Sequence, residues 1–400
     1  MIIITAICIT CIAAHYHYRS PGQFSPGILH GCVWLSASVV YLYFSDNLLE
    51  PKPLALAIIS SGIICFSLGC GLGSMLVPPV SAGGETTRLR AIWLVMYTMI
   101  AAAGFFALWT RANAIVNIEQ SQNWLLDIRK IISSQGSIGF GYAAYIANFG
   151  LAATFLALLR CHGRLGWSLA GISFAFSLAS MILLTGRTFI LLLFVLVGTA
   201  LFSRRYGKGR EVLWTYLVPC LCVAIISLVA TTVWQSRFGM ANPSLLAGIQ
   251  EHLLHYIPSP TAAFSLQVQS NESLAYGQHT FRTIYAVLHK LGFDVEVVSL
   301  VRPYVLVPIS TNVYTVFSPY YADIGWFGVA TASLVFGIIT GVVNQLGPSQ
   351  SRPLISILFA ILIYALILQF FQDQYMSLLS QWIQLLLATA ILSLPRADTP

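Results

Sequence analysis

The sequence predicts an all-α polytopic membrane protein of about 11 transmembrane helices (10–12), with a large, partly helical outer loop in its second half. Three observations carry that reading. Of 400 residues, 57% are hydrophobic and only 8% charged, and the mean hydropathy is +0.80. Soluble globular chains carry roughly 25% charged residues, so this balance excludes a soluble enzyme and a disordered chain. Apolar runs approaching the ~20 residues that cross a hydrocarbon core recur along the chain. One long polar interval, 233–322, interrupts them.

The runs fall at 1–15, 27–45, 53–72, 91–109, 138–159, 166–184, 188–203, 212–232, 323–344, 353–371 and 374–394. The first lacks a basic n-region and a small-residue cleavage site, so it reads as a short spanning helix rather than a signal peptide. Gly69-Cys70-Gly71-Leu72-Gly73 lies at the end of the third run with no strand before it. It reads as tight helix packing or a turn, not as a nucleotide loop.

Orientation follows from basic residues in the short loops. Arg204, Arg205, Lys208 and Arg210 form the densest cluster and are placed in the cytoplasm. Alternation puts Arg19, Arg88, Arg90, Arg160, Arg164, Arg352 and Arg396 on the same side, eleven in all. The opposite short loops hold five: Lys52, Arg111, Arg129, Lys130 and Arg187. The expected topology is N-terminus out, C-terminus in, with 233–322 on the outer face of a single integral-membrane domain, 1–400. The net charge of +7 comes from scattered residues and short loops, so no nucleic-acid partner is expected. Of the eight cysteines, only Cys8 and Cys11 form a C-x-x-C, inside an apolar run and with no second pair. Neither a disulfide framework nor a metal site is expected.

The outer loop reads as ordered. Leu246, Ile249, Leu253 and Ile257 recur at helical spacing within 244–257, a helix that Pro258 and Pro260 are expected to break. Phe281, Ile284, Val287, Leu288 and Leu291 do the same within 280–291. Both predict amphipathic helices at the membrane surface. The loop ends in Thr311-Asn312-Val313-Tyr314-Thr315-Val316-Phe317-Ser318-Pro319-Tyr320-Tyr321-Ala322-Asp323-Ile324-Gly325-Trp326. Lipid tolerates irregular polar backbone only where it lines a cavity, so this stretch predicts a site for a polar substrate at a membrane mouth.

Three motifs give the chain a family resemblance: Gly186-Arg187-Thr188 at a helix end, Tyr276-Gly277-Gln278-His279-Thr280-Phe281-Arg282 in the loop, and the N-V-Y-T segment at 312–315 followed by paired tyrosines and Asp323-Ile324-Gly325. On these the chain resembles the Wzy-type O-antigen polymerases, also called oligosaccharide repeat-unit polymerases. The sequence likeness lies within about 180–330. Ser318-Pro319 stands where that family often has an arginine.

The resemblance implies glycan polymerisation at the periplasmic face of the bacterial inner membrane. The donor would be a growing chain on undecaprenyl pyrophosphate, and the acceptor a lipid-linked repeat unit. Metal independence, inversion at the anomeric carbon and a chain-length co-polymerase as partner are implied with it, along with contact with membrane lipids. No cofactor is expected. An O-antigen ligase and a flippase or transporter of lipid-linked sugars are the alternatives.

A departing diphosphate needs cations, and the planar fork of arginine suits phosphate oxygens. Arg187 is the first candidate, and Arg237 at the start of the loop is the second. Arg282 and Arg302 are candidate phosphate or sugar ligands. The acceptor hydroxyl needs a base, and His279 and Asp323 are both open for that role. Asp323 is expected to open a helix, where a carboxylate also favours the dipole. Asn312, Tyr314, Tyr320 and Tyr321 can offer hydrogen bonds and aromatic faces to a sugar, or belong to an interfacial aromatic belt.

Overall fold

The computed structural model describes residues 1–17, 25–78, 91–117, 121, 124–125, 127–128, 131, 139–184, 187–205, 222, 226, 250, 253–270, 273–299, 301–307 and 309–393. Ten of the predicted apolar runs coincide with helices. They are α1 (Ile2–His17), α2 (Pro26–Tyr43), α3 (Pro53–Leu76), α4 (Ala91–Ile115), α5 (Tyr142–Arg160), α6 (Gly163–Leu183), α7 (Arg187–Arg205) and three helices after the long loop. The loop itself carries α8 (Ser259–Gln269), α9 (Arg282–Lys290) and a two-stranded hairpin, β1 (Val305–Leu306) with β2 (Ser310–Thr311). Then come α10 (Ser318–Leu346), α11 (Pro353–Ile367) and α12 (Leu379–Ser393). Among the described residues six helices, α2 to α6 and α10, are long and apolar enough to cross a membrane, and α1, α7, α11 and α12 are shorter apolar helices. The protein is a multi-pass, all-α membrane protein. The run at 212–232 lies outside the described residues.

The chain divides into two compact units. One comprises Met1–Val80, Pro243–Leu346 and Leu362–Leu379; the other comprises Ser81–Asn242, Gly347–Ile361 and Ser380–Pro400.

In the first unit, α3 and α10 meet backbone to backbone. A methyl group added at Gly69 or Gly73 would strike the backbone of Leu334 or Ile338, and one at Gly337 or Gly341 would strike Phe66 or Cys70. Each helix thus contributes a small residue every fourth position, the spacing that lets helices approach closely in lipid. The expected packing role of Gly69 and Gly73 is borne out. Gly71, on the same helix, faces open space. Gly73→Leu is expected to destabilise the protein by roughly 1–3 kcal/mol through overpacking, whereas Gly71→Leu leaves it unchanged. Thermal unfolding in detergent distinguishes the two variants.

Two expectations for the loop need correction. Pro258 and Pro260 do not merely end a helix; they begin one. Proline lacks only an N–H that the first helical turn leaves unpaired anyway. The resulting α8 is interior, with Thr261, Ala262, Ala263, Phe264 and Val268 all buried. The second correction concerns α10, which begins at Ser318 with Pro319 in its first turn, five residues before Asp323. Asp323 therefore does not open the helix. A break follows it at Gly325 (φ 67°, ψ −148°), a conformation essentially confined to glycine.

The predicted 280–291 helix is present as α9, and Ile284, Val287 and Leu291 along it are exposed. Most of the predicted 244–257 helix lies outside the described residues, of which 253–256 are helical.

In the second unit, Gly104 of α4 backs onto Ala147, and Gly150 of α5 onto Ala101. A buried hydroxyl seam joins α4, α5 and α6: Ser173 donates to Thr98 at 3.0 Å, and Thr154 and Ser177 lie 2.8 Å apart. At the C-terminal end of α7, Arg204 donates to the Leu158 carbonyl at 2.8 Å and covers the Trp167 ring at 4.8 Å. The basic residues around 160–164 and Arg204, assigned to one side by charge counting, are neighbours at one end of these helices.

Candidate functional site: an arginine-lined cavity

A cavity of about 210 Å³ opens within the first unit. Its walls come from four stretches: His279 and Arg282 at the start of α9; Val298, Ser299, Val301 and Arg302; Asn312–Thr315 with Ser318 and Pro319; and the connection between α11 and α12 through Gln372, Asp373, Ser377 and Leu378. Five sequence candidates meet here: His279, Arg282, Arg302, Asn312 and Tyr314.

Each guanidinium group donates to a backbone carbonyl. Arg282 donates through Nε to the Val298 carbonyl at 2.8 Å, which leaves its two terminal nitrogens without a hydrogen-bond partner among the described residues. Arg302 donates through Nη2 to the Ser318 carbonyl at 3.3 Å. That carbonyl also accepts from Gln267 of α8 at 3.2 Å, so the buried helix sets the position of the cavity wall. Tyr314 is held by its hydroxyl, which donates to the Pro303 carbonyl at 3.1 Å. Its ring packs with Tyr41, Ala262, Ala263 and Val307. The Asn312 side chain makes no hydrogen bond among the described residues and is available to a ligand.

Asp323 is fully buried and does not line the cavity. Its Oδ1 accepts the backbone N–H of His279 at 3.0 Å, and its Oδ2 accepts that of Thr280 at 2.6 Å. The Tyr276 N–H bonds to the Asp323 carbonyl at 3.1 Å, and the Ala275 N–H to that of Ala322 at 3.0 Å. The 275–280 segment is thus clamped onto α10, through a turn in which Tyr276 (φ 48°) and Gly277 (φ 99°) are both left-handed. Asp323 therefore fixes the backbone of His279 and Thr280 against α10. Asp323→Asn places an NH₂ against a backbone N–H and leaves a buried donor unmatched, at a cost of about 1–3 kcal/mol. Faster hydrogen exchange confined to 275–282 is the expected result.

Asp373 is the group that sequence reasoning missed. It lies between two apolar runs, fully buried, with one edge on the cavity. Oδ1 accepts from the Tyr320 hydroxyl at 2.7 Å and the Tyr375 N–H at 3.0 Å. Oδ2 accepts the N–H of Met376 at 3.2 Å, and from Ser377 both the N–H at 2.8 Å and the hydroxyl at 2.9 Å. Burial pushes its carboxyl above the usual range, and the bonds from Tyr320, Ser377 and Tyr375 offset that only in part. The cluster of glutamines around it, in Gln369-Phe370-Phe371-Gln372-Asp373-Gln374, is the signal that could have found it.

Tyr320 is consequently a buried partner of Asp373 and does not line the cavity. Tyr321 turns to α8, with its hydroxyl 3.4 Å from the Val268 carbonyl and its ring edge-on to Phe264. Because α10 begins at Ser318, the tyrosine pair follows helical rather than loop geometry. Arg187 begins α7 in the second unit, with its side chain outside the description. Arg237 lies outside the described residues. Among the described residues no three His, Cys, Asp or Glu side chains gather as metal ligands.

Fold and cavity together define a multi-pass helical membrane protein whose long loop closes an arginine-lined cavity against the turn between its last two helices. No family model matches the chain, and no solved structure matches it. Over 218 residues the chain is 25% identical to a protein of Escherichia coli (strain K12) named "Putative O-antigen polymerase", a match covering 52% of this chain and 54% of that protein. The chain thus spans about half the length of the curated relative it matches.

Proposed function

We propose that the protein polymerises lipid-linked oligosaccharide repeat units at the periplasmic face of the bacterial inner membrane. The observation that carries this reading is the meeting of Arg282, Arg302, His279, Asn312 and Tyr314 in one cavity. Two of the resembling segments supply four of those residues, and the name of the E. coli relative points the same way. The outer placement is supported by the joining of the long loop to the α11–α12 connection, since charge counting assigns both to that side.

In this reaction the growing glycan sits on undecaprenyl pyrophosphate and the acceptor is one lipid-linked unit. The acceptor hydroxyl attacks the anomeric carbon of the donor from the face opposite the diphosphate. The carbon–oxygen bond to the diphosphate breaks, and the configuration inverts. His279, its backbone fixed by Asp323, takes the hydroxyl proton. Arg282 and Arg302 hold the diphosphate oxygens as charge develops on them. Asn312 and Tyr314 orient sugar hydroxyls and faces. The proposal uses no metal. Arg187 and Arg237 are proposed as further cations on sequence grounds alone. The exposed apolar side chains of α9 are proposed to rest on lipid, and a chain-length co-polymerase is the proposed protein partner.

The test is purified protein given a lipid-pyrophosphate repeat unit, followed by separation of the products. A ladder of lengthening glycans is expected. Transfer of one glycan to lipid A core without a ladder would replace this reading with a ligase. Movement of label across vesicles without chain growth would replace it with a flippase.

A further inference from the structure

His30 lies in the second turn of α2 and is 1% exposed, yet neither ring nitrogen has a hydrogen-bond partner among the described residues. Its ring stacks on Phe66 with centroids 4.2 Å apart. The Gln369 side chain and the Ile63 backbone are polar neighbours of the ring, but neither is close and aligned enough to satisfy a ring nitrogen. An orphaned buried imidazole costs on the order of 1–3 kcal/mol unless something solvates it. Polar groups that face each other beyond direct reach are commonly bridged by water.

Beside the ring is a cavity of about 10 Å³, measured as room for the centre of a water molecule. It is lined by His30, Phe66, Ser333, Gln369 and Tyr375, among others. That volume matches a single water. The polar groups around it form a directed chain. Trp34 Nε1 donates to Gln369 Oε1 at 3.1 Å, and Gln369 Nε2 donates to the Tyr375 hydroxyl oxygen at 2.8 Å. The Tyr375 hydroxyl hydrogen then has no acceptor among the described residues. The orphan donor and the orphan ring therefore border one water-sized space.

We infer that this cavity binds one ordered water, which accepts the Tyr375 hydroxyl hydrogen and donates to a ring nitrogen of His30. His30 is thereby a positioning residue for the 369–377 turn, at whose centre Asp373 borders the larger cavity. It touches no substrate. The inference is independent of the reaction proposed above, because it concerns a bound water and the order of a turn.

Hydrogen exchange of 369–378 in the full-length protein in lipid nanodiscs tests it. His30→Phe keeps the stacking on Phe66 but cannot bond to water, and is expected to raise exchange about tenfold. His30→Gln keeps a polar group and is expected to stay within about threefold of the native rate. Equal rates in His30→Phe and the native protein would overturn the inference. Should His30→Phe fail to fold, nitrogen-15 resonance of histidine-labelled native protein decides. A magnetisation-transfer peak from water to the His30 ring supports the bound water, and its absence overturns it.

Discussion

The Arg282→Gln, Arg302→Gln double variant is expected to lose glycan chain growth by at least ~10²–10³-fold in turnover, the loss seen when a single donor to a developing oxyanion is removed. The expectation rests on where these side chains end. Arg282 spends one donor on Val298 and has no partner for its two terminal nitrogens among the described residues, while Arg302 lines the same cavity from 298–302. Arg282→Lys is expected to fare little better, because an ammonium cannot offer two parallel donors to a diphosphate. Lys290→Gln, on an exposed side chain at the end of α9 that does not line the cavity, serves as the control and retains full turnover. Neither arginine is buried, and at Arg282 glutamine forfeits one backbone-directed bond, about 1 kcal/mol. The melting temperature of the double variant should therefore stay close to native while turnover collapses. A parallel loss of both would mean that the arginines hold the loop and nothing else.

Asp373→Ala is expected to have the largest effect on stability, about 3 kcal/mol or more. It strands the Tyr320 hydroxyl and three consecutive backbone N–H groups around a buried void. The same residue sets a pH dependence with a definite sign. Its carboxyl titrates above its unfolded value, chiefly through burial. The folded state therefore holds the proton more tightly than the unfolded one. The stability this contributes is complete below the unfolded pKa of about 3.9 and is lost as pH rises through the folded value. Asp373→Asn removes that slope. Melting temperatures of native and Asp373→Asn protein, compared from pH 4 upward, are expected to converge or cross as the native curve falls. Parallel curves would show that Asp373 does not titrate in this way.

Hydropathy carried most of the fold, because a membrane helix must satisfy its backbone internally and announces itself through apolar length. The cavity lining was legible where polar residues interrupt that pattern over many positions, which is why His279, Arg282, Arg302, Asn312 and Tyr314 stood out as candidates. It was illegible where the interruption is short. Asp373 occupies a gap of a few residues between two runs, too small to look like anything but a boundary. Helix α8 was hidden by its prolines, read as breakers although they stand at its start. The Tyr320–Tyr321 pair was misdirected for a related reason: as loop residues they would have faced the substrate, whereas a helix beginning at Ser318 turns them to Asp373 and α8. Asp323 shows the limit of reasoning from residue type. A carboxylate beside a histidine suits a base equally well on paper, and only its two backbone bonds assign it to holding His279.

The central claim is that one cavity on the long loop is a diphosphate site. Native mass spectrometry of the full-length protein, titrated with undecaprenyl pyrophosphate and with undecaprenyl monophosphate, tests it most directly. The account predicts that the diphosphate binds at least about tenfold more tightly, as an additional charge-assisted bond of roughly 1.5–3 kcal/mol requires. It also predicts that the Arg282→Gln, Arg302→Gln double variant abolishes the difference. Equal affinity for the two lipids in the native protein, or a preference that survives in the double variant, would contradict it.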